Sequence, residues 1–255
     1  MSGWAVRRNF GRDLTEHAAF WFVLAIVAIV FLAWSLPATI LRWTLPSRHA
    51  ADAGEFVIMG GFRGLLALMR LTGIARTDLT ALDALRDDGG IVIVSNHPSL
   101  LDAVLVISRL PRVVCITKAE NWDNPFLGAG ARLAGYIRND AGHVLIRRAA
   151  ASLRDGRQLL IFPEGTRTAR SPVGTVKGGF ALMARAAGVP VQTVLIEVDS
   201  PFLGKSWPFF RKPAFPVTYR ARLGRRFVAG GSAVAFAAEL EAYFRAELAR
   251  PPTAL

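Results

Sequence analysis

The segment Ile91-Val92-Ile93-Val94-Ser95-Asn96-His97-Pro98-Ser99-Leu100-Leu101-Asp102 decides the fold class. Its first four residues form an unbroken apolar run, the pattern of a strand buried on both faces. A polar break follows, and the spacing predicts a helix over 99–109 with Ser99 as its N-cap and Pro98 just before it. A strand that turns directly into a helix is the building unit of a parallel α/β sheet. Such sheets gather functional groups at the carboxyl ends of their strands. His97 falls in that turn. Asp102, on the first helical turn, can fold back toward it. A carboxylate on one imidazole nitrogen fixes the tautomer and stabilises the imidazolium, leaving the other nitrogen as a general base. The alternative is a pair that only stabilises the turn, and a lone His-x4-Asp does not decide between them.

Working outward, apolar runs alternate with helical patterns. Strands are expected at 113–117, 135–137, 159–162 and 191–198, and a more exposed strand at 217–223. Helices are expected at 77–88, 125–133, 143–154, 178–187 and 232–248, with Gly188 closing the fourth. This alternation predicts an α/β domain over 75–255, a mostly parallel sheet flanked by helices. No internal repeat interrupts it.

A second strand end reads Leu159-Leu160-Ile161-Phe162-Pro163-Glu164-Gly165-Thr166-Arg167-Thr168. Gly165 permits a backbone angle closed to other residues, or close approach of a ligand. Arg167 offers a planar donor fork to phosphate. Glu164 can hold that arginine or a ligand hydroxyl. A turn with a surface ion pair is the competing reading. A third strand end, Gly135-Tyr136-Ile137-Arg138, also finishes on an arginine. A fourth segment, Gly188-Val189-Pro190-Val191, enters a strand with no titratable group and reads as structural. A His/Asp pair and two arginines at the strand ends of one sheet suit a reaction on a hydroxyl carried by an anionic phosphoester.

Residues 1–74 read differently. Residues 18–41 carry no charged side chain. As a helix they measure about 36 Å, against a hydrocarbon core of roughly 30 Å. Pro37 is expected to kink or end this helix. Trp4, Trp34 and Trp43 suit an interfacial belt. A second apolar stretch, 56–71, has Arg63 near its middle, so it is expected to lie in the interface rather than span. The flanking arginines (Arg7, Arg8 and Arg12 before, Arg42 and Arg48 after) give no clean orientation, and a hairpin dipping into one leaflet is the expectation. This is an N-terminal membrane-associated helical segment, and the inner (cytoplasmic) membrane, with the catalytic domain on its cytoplasmic side, is the expected location.

Composition agrees. The 255 residues are 52% hydrophobic, with mean hydropathy +0.34. Lys and Arg total 31 against 19 Asp and Glu, a net charge of +12, and only four are lysines. Arginine binds phosphate and carboxylate bidentately, so an anionic membrane surface or substrate is implied. No nucleic-acid-binding motif accompanies the charge, and no nucleic-acid partner is expected. The single cysteine, Cys115, lies in an apolar run and reads as a core residue. His17, His49 and His143 carry no motif.

The order Asn96-His97-Pro98-Ser99-Leu100-Leu101-Asp102, then Gly135-Tyr136-Ile137-Arg138, then Phe162-Pro163-Glu164-Gly165-Thr166-Arg167, then Val189-Pro190-Val191 resembles the glycerolipid acyltransferase family, whose best-known members acylate lysophosphatidate. The stretches Lys118-Ala119-Glu120 and Lys177-Gly178-Gly179 are also similar to family counterparts. The resemblance covers roughly residues 75–225. It implies His97 as general base and Asp102 as its orienting partner. It implies Arg138, Glu164, Gly165, Thr166 and Arg167 as the phosphate and glycerol site. It further implies acyl-CoA or acyl carrier protein as acyl donor, a lysophospholipid acceptor drawn from membrane lipids, and neither metal nor bound cofactor. The expected reaction converts 1-acyl-glycerol-3-phosphate to phosphatidic acid. Pro98 and Leu100 depart from the residues usual at those positions. The wording of the first motif, with Asn124-Pro125-Phe126 and Trp207-Pro208, is similar to a subgroup associated with aryl-polyene pigment clusters. A non-standard acceptor is therefore a rival, as is a thioester or lipid hydrolase. No Gly-x-Ser-x-Gly elbow suggests an acyl-enzyme route.

Overall fold

The computed structural model describes residues 3–140, 142–169 and 172–250, and the side chains of 3–10 and of residue 127 lie outside the description. The expectations on Trp4, Arg7 and Arg8 therefore fall outside the described side chains. The chain opens with two long helices, α1 (Gly3–Thr44) and α2 (Ser47–Leu71). Then come β1 (Ala75–Asp78), a 3-10 turn (Thr80–Leu85), β2 (Ile91–Ser95), α3 (Asp102–Ile107) and β3 (Val113–Thr117). Two short helices, α4 (Ala119–Asp123) and α5 (Leu127–Leu133), precede β4 (Ile137–Arg138) and α6 (His143–Arg154). The chain ends with β5 (Gln158–Ile161), α7 (Gly179–Ala187), β6 (Val191–Val198), β7 (Val217–Phe227) and α8 (Ala233–Leu248).

Among the described residues, seven strands form one sheet in the order β1-β7-β6-β2-β5-β3-β4. Every neighbouring pair is parallel except β6 and β7, which run antiparallel. Strand β2 lies centrally, between β5 and β6, and all five of its residues are buried. That explains its unbroken apolar run: both faces are covered by side chains of two separate core clusters. Ile91 and Ile93 join one with Leu105 and Leu82. Val92 and Val94 join the other with Phe180 and Leu240. Strands β2 and β5 are parallel neighbours, so the turns that leave their carboxyl ends lie side by side.

Three local expectations need correction. Residues 77–88 are not a helix. Residues 75–78 pair with β7, and only 80–85 coil, as a 3-10 turn. Tertiary pairing at the sheet edge overrides a weak helical pattern. The stretch 125–133 is helical only from Leu127, because the chain breaks between α4 and α5 at Asn124-Pro125-Phe126, where Asn124 is extended before the proline. Pro37 does not end α1, which continues to Thr44. Ala38, the next residue, is fully buried in a cluster with Ala50, Ala129 and Leu133.

Helix α1 contains one segment, Gly11–Thr44, long and apolar enough to cross a membrane, and only 11% of its most apolar window is buried. Helix α2 instead uses Met59, Leu66 and Met69 to pack on the α/β unit. Its Glu55 is buried and bonded to Arg157 at 2.7 Å. Arg63, the residue that argues against spanning, donates from Nε to the Ser108 carbonyl at 2.7 Å.

Candidate active site

The turn after β2 is fastened before it presents anything. Asn96 is buried, and its side-chain amide bridges to β6 by donating to the Ile196 carbonyl and accepting from the Ile196 N–H, both at 2.8 Å. The chain then turns outward, and His97 Nδ1 lies 2.8 Å from Asp102 Oδ2. The same Oδ2 accepts the Ser99 N–H at 2.8 Å. Ser99 is thus not the N-cap of α3, which begins at Asp102 with Leu101 in the cap position. Its hydroxyl is buried and donates to the Phe202 carbonyl at 3.1 Å. The carboxylate of Asp102 tightens the turn in its place.

Asp102 has no exposure, and its Oδ1 has no hydrogen-bond partner among the described residues. Burial pushes its carboxyl up to about 6, against the opposing pull of the hydrogen bonds from His97 and Ser99. The His97 ring stacks on Phe162 with centroids 4.0 Å apart and planes 18° apart. Carboxylate and aromatic together hold the imidazole in one orientation. Nδ1 is engaged, so Nε2 is the ring nitrogen free to take a proton.

The turn after β5 is joined to the first. Thr168 N–H donates to the His97 carbonyl at 2.7 Å. Glu164 Oε1 accepts from His97 N–H at 3.2 Å and from Thr168 Oγ1 at 2.7 Å, and Oε2 accepts from Gly174 N–H at 2.8 Å. Glu164 is buried. Both of its oxygens accept hydrogen bonds from the protein, and these bonds tie the two turns together. Gly165 has φ of +71°, the left-handed region that favours glycine. A side chain there would begin 3.1 Å from Lys177 Nζ.

His97, Gly165, Thr166 and Arg167 open on one cavity of about 1100 Å³. This exceeds the roughly 300–1,000 Å³ of sites for drug-sized ligands. Lys118 and Lys177 add cationic groups to its wall. Much of the remainder is apolar and comes from the N-terminal helices, including Ile26, Val30 and Phe31 of α1 and Phe62, Leu65 and Leu68 of α2. Arg167 donates from one guanidinium nitrogen to the Leu203 and Gly204 carbonyls, at 2.9 Å each.

Arg138 is placed elsewhere. It is not part of the cavity wall, and it pairs with Asp123 at 2.8 Å and Asp140 at 2.5 Å. These acidic neighbours engage its fork in this structure. Phe162, Asn96 and Thr168 enter the sequence reading only as parts of motifs, yet all three hold His97 or its turn directly. Adjacency within those motifs is their only sequence signal.

The arrangement pairs a half-buried, oriented imidazole with a large apolar cavity and a cationic rim. Chemically it can remove a proton from a hydroxyl while an apolar chain lies in the cavity and an anionic group meets the rim.

Known proteins of similar sequence and fold carry the same chemistry in their names. Residues 76–197 match the family described as Acyltransferase. The lyso-ornithine lipid O-acyltransferase of Pseudomonas aeruginosa is 37% identical over 123 residues, 44% of this chain and 47% of that protein. The 1-acyl-sn-glycerol-3-phosphate acyltransferase of the same organism is 25% identical over 225 residues, covering 86% of this chain and 84% of that one. The lysophospholipid acyltransferase LPCAT4 of Mus musculus is 32% identical over 56% of this chain and 29% of its own. The chain thus spans about half or less of the length of the first curated relatives it matches. The crystal structure of the 1-acyl-sn-glycerophosphate acyltransferase PlsC from Thermotoga maritima superposes with a TM-score of 0.69 at 18% identity, over 95% of this chain and 98% of that chain. At that coverage the shared fold takes in the N-terminal helices as well as the sheet. Over residues 76–197, a little under half of its length, the chain matches the Acyltransferase family, and its motifs resemble those of the glycerolipid acyltransferases.

Proposed function

We propose that this protein transfers a fatty acyl group from a thioester to the hydroxyl of a lysophospholipid, with 1-acyl-glycerol-3-phosphate as acceptor and phosphatidic acid as product. The observation that carries this reading is the His97–Asp102 pair opening on a large, mostly apolar cavity beside Arg167 and Lys177.

In this reaction His97 Nε2 takes the proton of the acceptor hydroxyl as its oxygen attacks the thioester carbonyl. Asp102 stabilises the imidazolium that forms. Collapse of the tetrahedral intermediate expels the thiolate, which receives the proton from His97. Arg167, Lys177 and Thr166 hold the acceptor's phosphate, and Gly165 lets Lys177 approach. The apolar wall from α1 and α2 receives acyl chain, so substrate need not leave the lipid phase. Acyl-CoA or acyl carrier protein serves as donor. The protein sits in the cytoplasmic membrane through α1, with the α/β unit on the cytoplasmic side.

A second reading has lyso-ornithine lipid as acceptor. It is favoured by the 37% identity to an enzyme of that name, above the 25% identity to the lysophosphatidate enzyme. The pairing of Arg138 with two aspartates also leaves fewer arginines free for phosphate. Both acceptors offered in parallel to washed membranes carrying the protein, with a radiolabelled long-chain acyl thioester, separate the readings. Labelled phosphatidic acid supports the first and labelled ornithine lipid the second. Free fatty acid released without either acceptor points instead to a hydrolase.

A further inference from the structure

The loop between β6 and β7 bears two exposed aromatic rings that the proposed reaction does not use. Phe209 is 46% exposed and Phe210 65%. Neither is stray. Phe210 stacks on Trp21 of α1, with centroids 6.0 Å apart and planes 14° apart, and Phe209 packs edge-on against Phe210 at 5.2 Å. Two residues further, Lys212 binds Glu16 at 2.7 Å and Asp13 at 3.1 Å. Arg211 lies 5.2 Å over the Trp207 ring.

These contacts align two boundaries. In α1 the polar N-terminal stretch ends at His17 and the uncharged run begins at Ala18. In the loop, Phe210 meets Trp21 while Lys212 meets Asp13 and Glu16. Both segments thus change from polar to apolar at the same level. Aromatic side chains with basic neighbours at such a level are the signature of a membrane interface.

The base of the same loop reaches the site. The Phe202 carbonyl accepts from Ser99 Oγ, and the Leu203 carbonyl accepts from Leu100 N–H at 3.0 Å and from Arg167 at 2.9 Å. Leu203 sits at φ of +56°, where side chains are strained, and such a conformation persists only when its surroundings impose it.

We propose that Phe209 and Phe210 insert into the interfacial layer of a phospholipid bilayer beside α1, and that this second anchor holds Arg167 and the His97 turn at headgroup depth. The occupant is a lipid surface rather than another protein. The aromatic patch continues the exposed apolar face of a helix fit to cross a membrane, and the exposed Arg211 beside it suits anionic headgroups. The effect on turnover rests on the lysolipid reading above, whereas the insertion does not.

The test uses the full chain reconstituted in vesicles of phosphatidylethanolamine and phosphatidylglycerol. In a Cys115→Ala background, Phe210→Cys is labelled with an environment-sensitive fluorophore, and Glu239→Cys on α8 serves as the exposed control. Lipids brominated near the headgroup end of the chain should quench the label at 210 and leave that at 239 unchanged. Absence of quenching at 210 overturns the proposal whether or not the chain is active. Separately, Phe209→Ser/Phe210→Ser should lower kcat/KM at least tenfold for a long-chain lysolipid embedded in vesicles. It should stay within twofold of wild type for a short-chain, water-soluble acceptor in detergent micelles. Equal losses on both acceptors, or no loss on either, overturn the claim that the loop sets depth.

Discussion

The turn after β2 and the turn after β5 leave adjacent strands and share hydrogen bonds, yet they treat their carboxylates in opposite ways. Asp102 commits one oxygen to the imidazole that faces the cavity and leaves the other without a partner among the described residues. Glu164 commits both oxygens to the backbone and to Thr168. Both side chains are buried, and both stand in the motifs that carry the family resemblance. Their partners separate them: one carboxylate binds an imidazole that faces the cavity, the other binds the two turns to each other. A residue's place in a motif identifies its neighbourhood, and its hydrogen bonds identify its task.

The comparison breaks most easily at Asp102. Asp102→Asn should lower kcat by about 10³-fold, the scale of losing an oriented general base. Its unfolding midpoint should not fall, because a buried charge has been removed. A loss under tenfold would place Asp102 with Glu164 as scaffold. Glu164→Gln should behave in reverse. The new amide group meets the Gly174 N–H donor to donor, and the expected loss is about 1–3 kcal/mol of unfolding free energy. Activity should fall only about tenfold as the turn loosens. Denaturant titration beside a rate assay checks both variants.

The pH profile sharpens the same contrast. Asp102 is raised to about 6 by burial. The folded chain therefore holds this proton more tightly than the unfolded chain. The charged form costs stability, a cost absent below about pH 4 and fully present above about pH 6. Function needs that charged form. Activity should decline as pH falls through about 6, approaching tenfold per pH unit, and the Glu164→Gln variant should keep this limb. A wild-type profile flat down to pH 5 would contradict the role of Asp102. The smallest effect is expected at Arg138, whose aspartate pairs keep it from the cavity wall. Arg138→Ala should change kcat/KM less than fivefold. A loss above a hundredfold would show that substrate draws the arginine out of those pairs, as the expectation drawn from its motif requires.

Much of the α/β unit can be read in advance because its signals are local. The run Ile91–Ser95 is apolar up to its last residue since it is buried on both faces, and Gly188 closes α7 in the left-handed conformation that its spacing implies. Strand β1 is not legible in the same way. Ala-Arg-Thr-Asp carries no strand pattern, and only pairing with β7, near the other end of the chain, makes it one. Within the site, His97 and Asp102 are legible because sequence neighbours on a strand-helix turn are spatial neighbours too. The hydrogen-bond partners of Glu164 and Arg138 are not legible, for the complementary reason. Their partners Gly174, Asp123 and Asp140 lie in segments with no motif of their own. The cavity wall that α1 and α2 contribute likewise depends on tertiary contact. Val30, Phe31 and Leu65 line it, yet in the sequence they look like any membrane-facing residues.

The most direct measurement is acyl transfer from a long-chain acyl thioester to lysophosphatidate in isolated membranes, comparing wild type with His97→Ala at equal protein level. Phosphatidic acid formed by the wild type and reduced at least about 10³-fold in the variant is the expected result. Equal product from both would contradict His97 as the base.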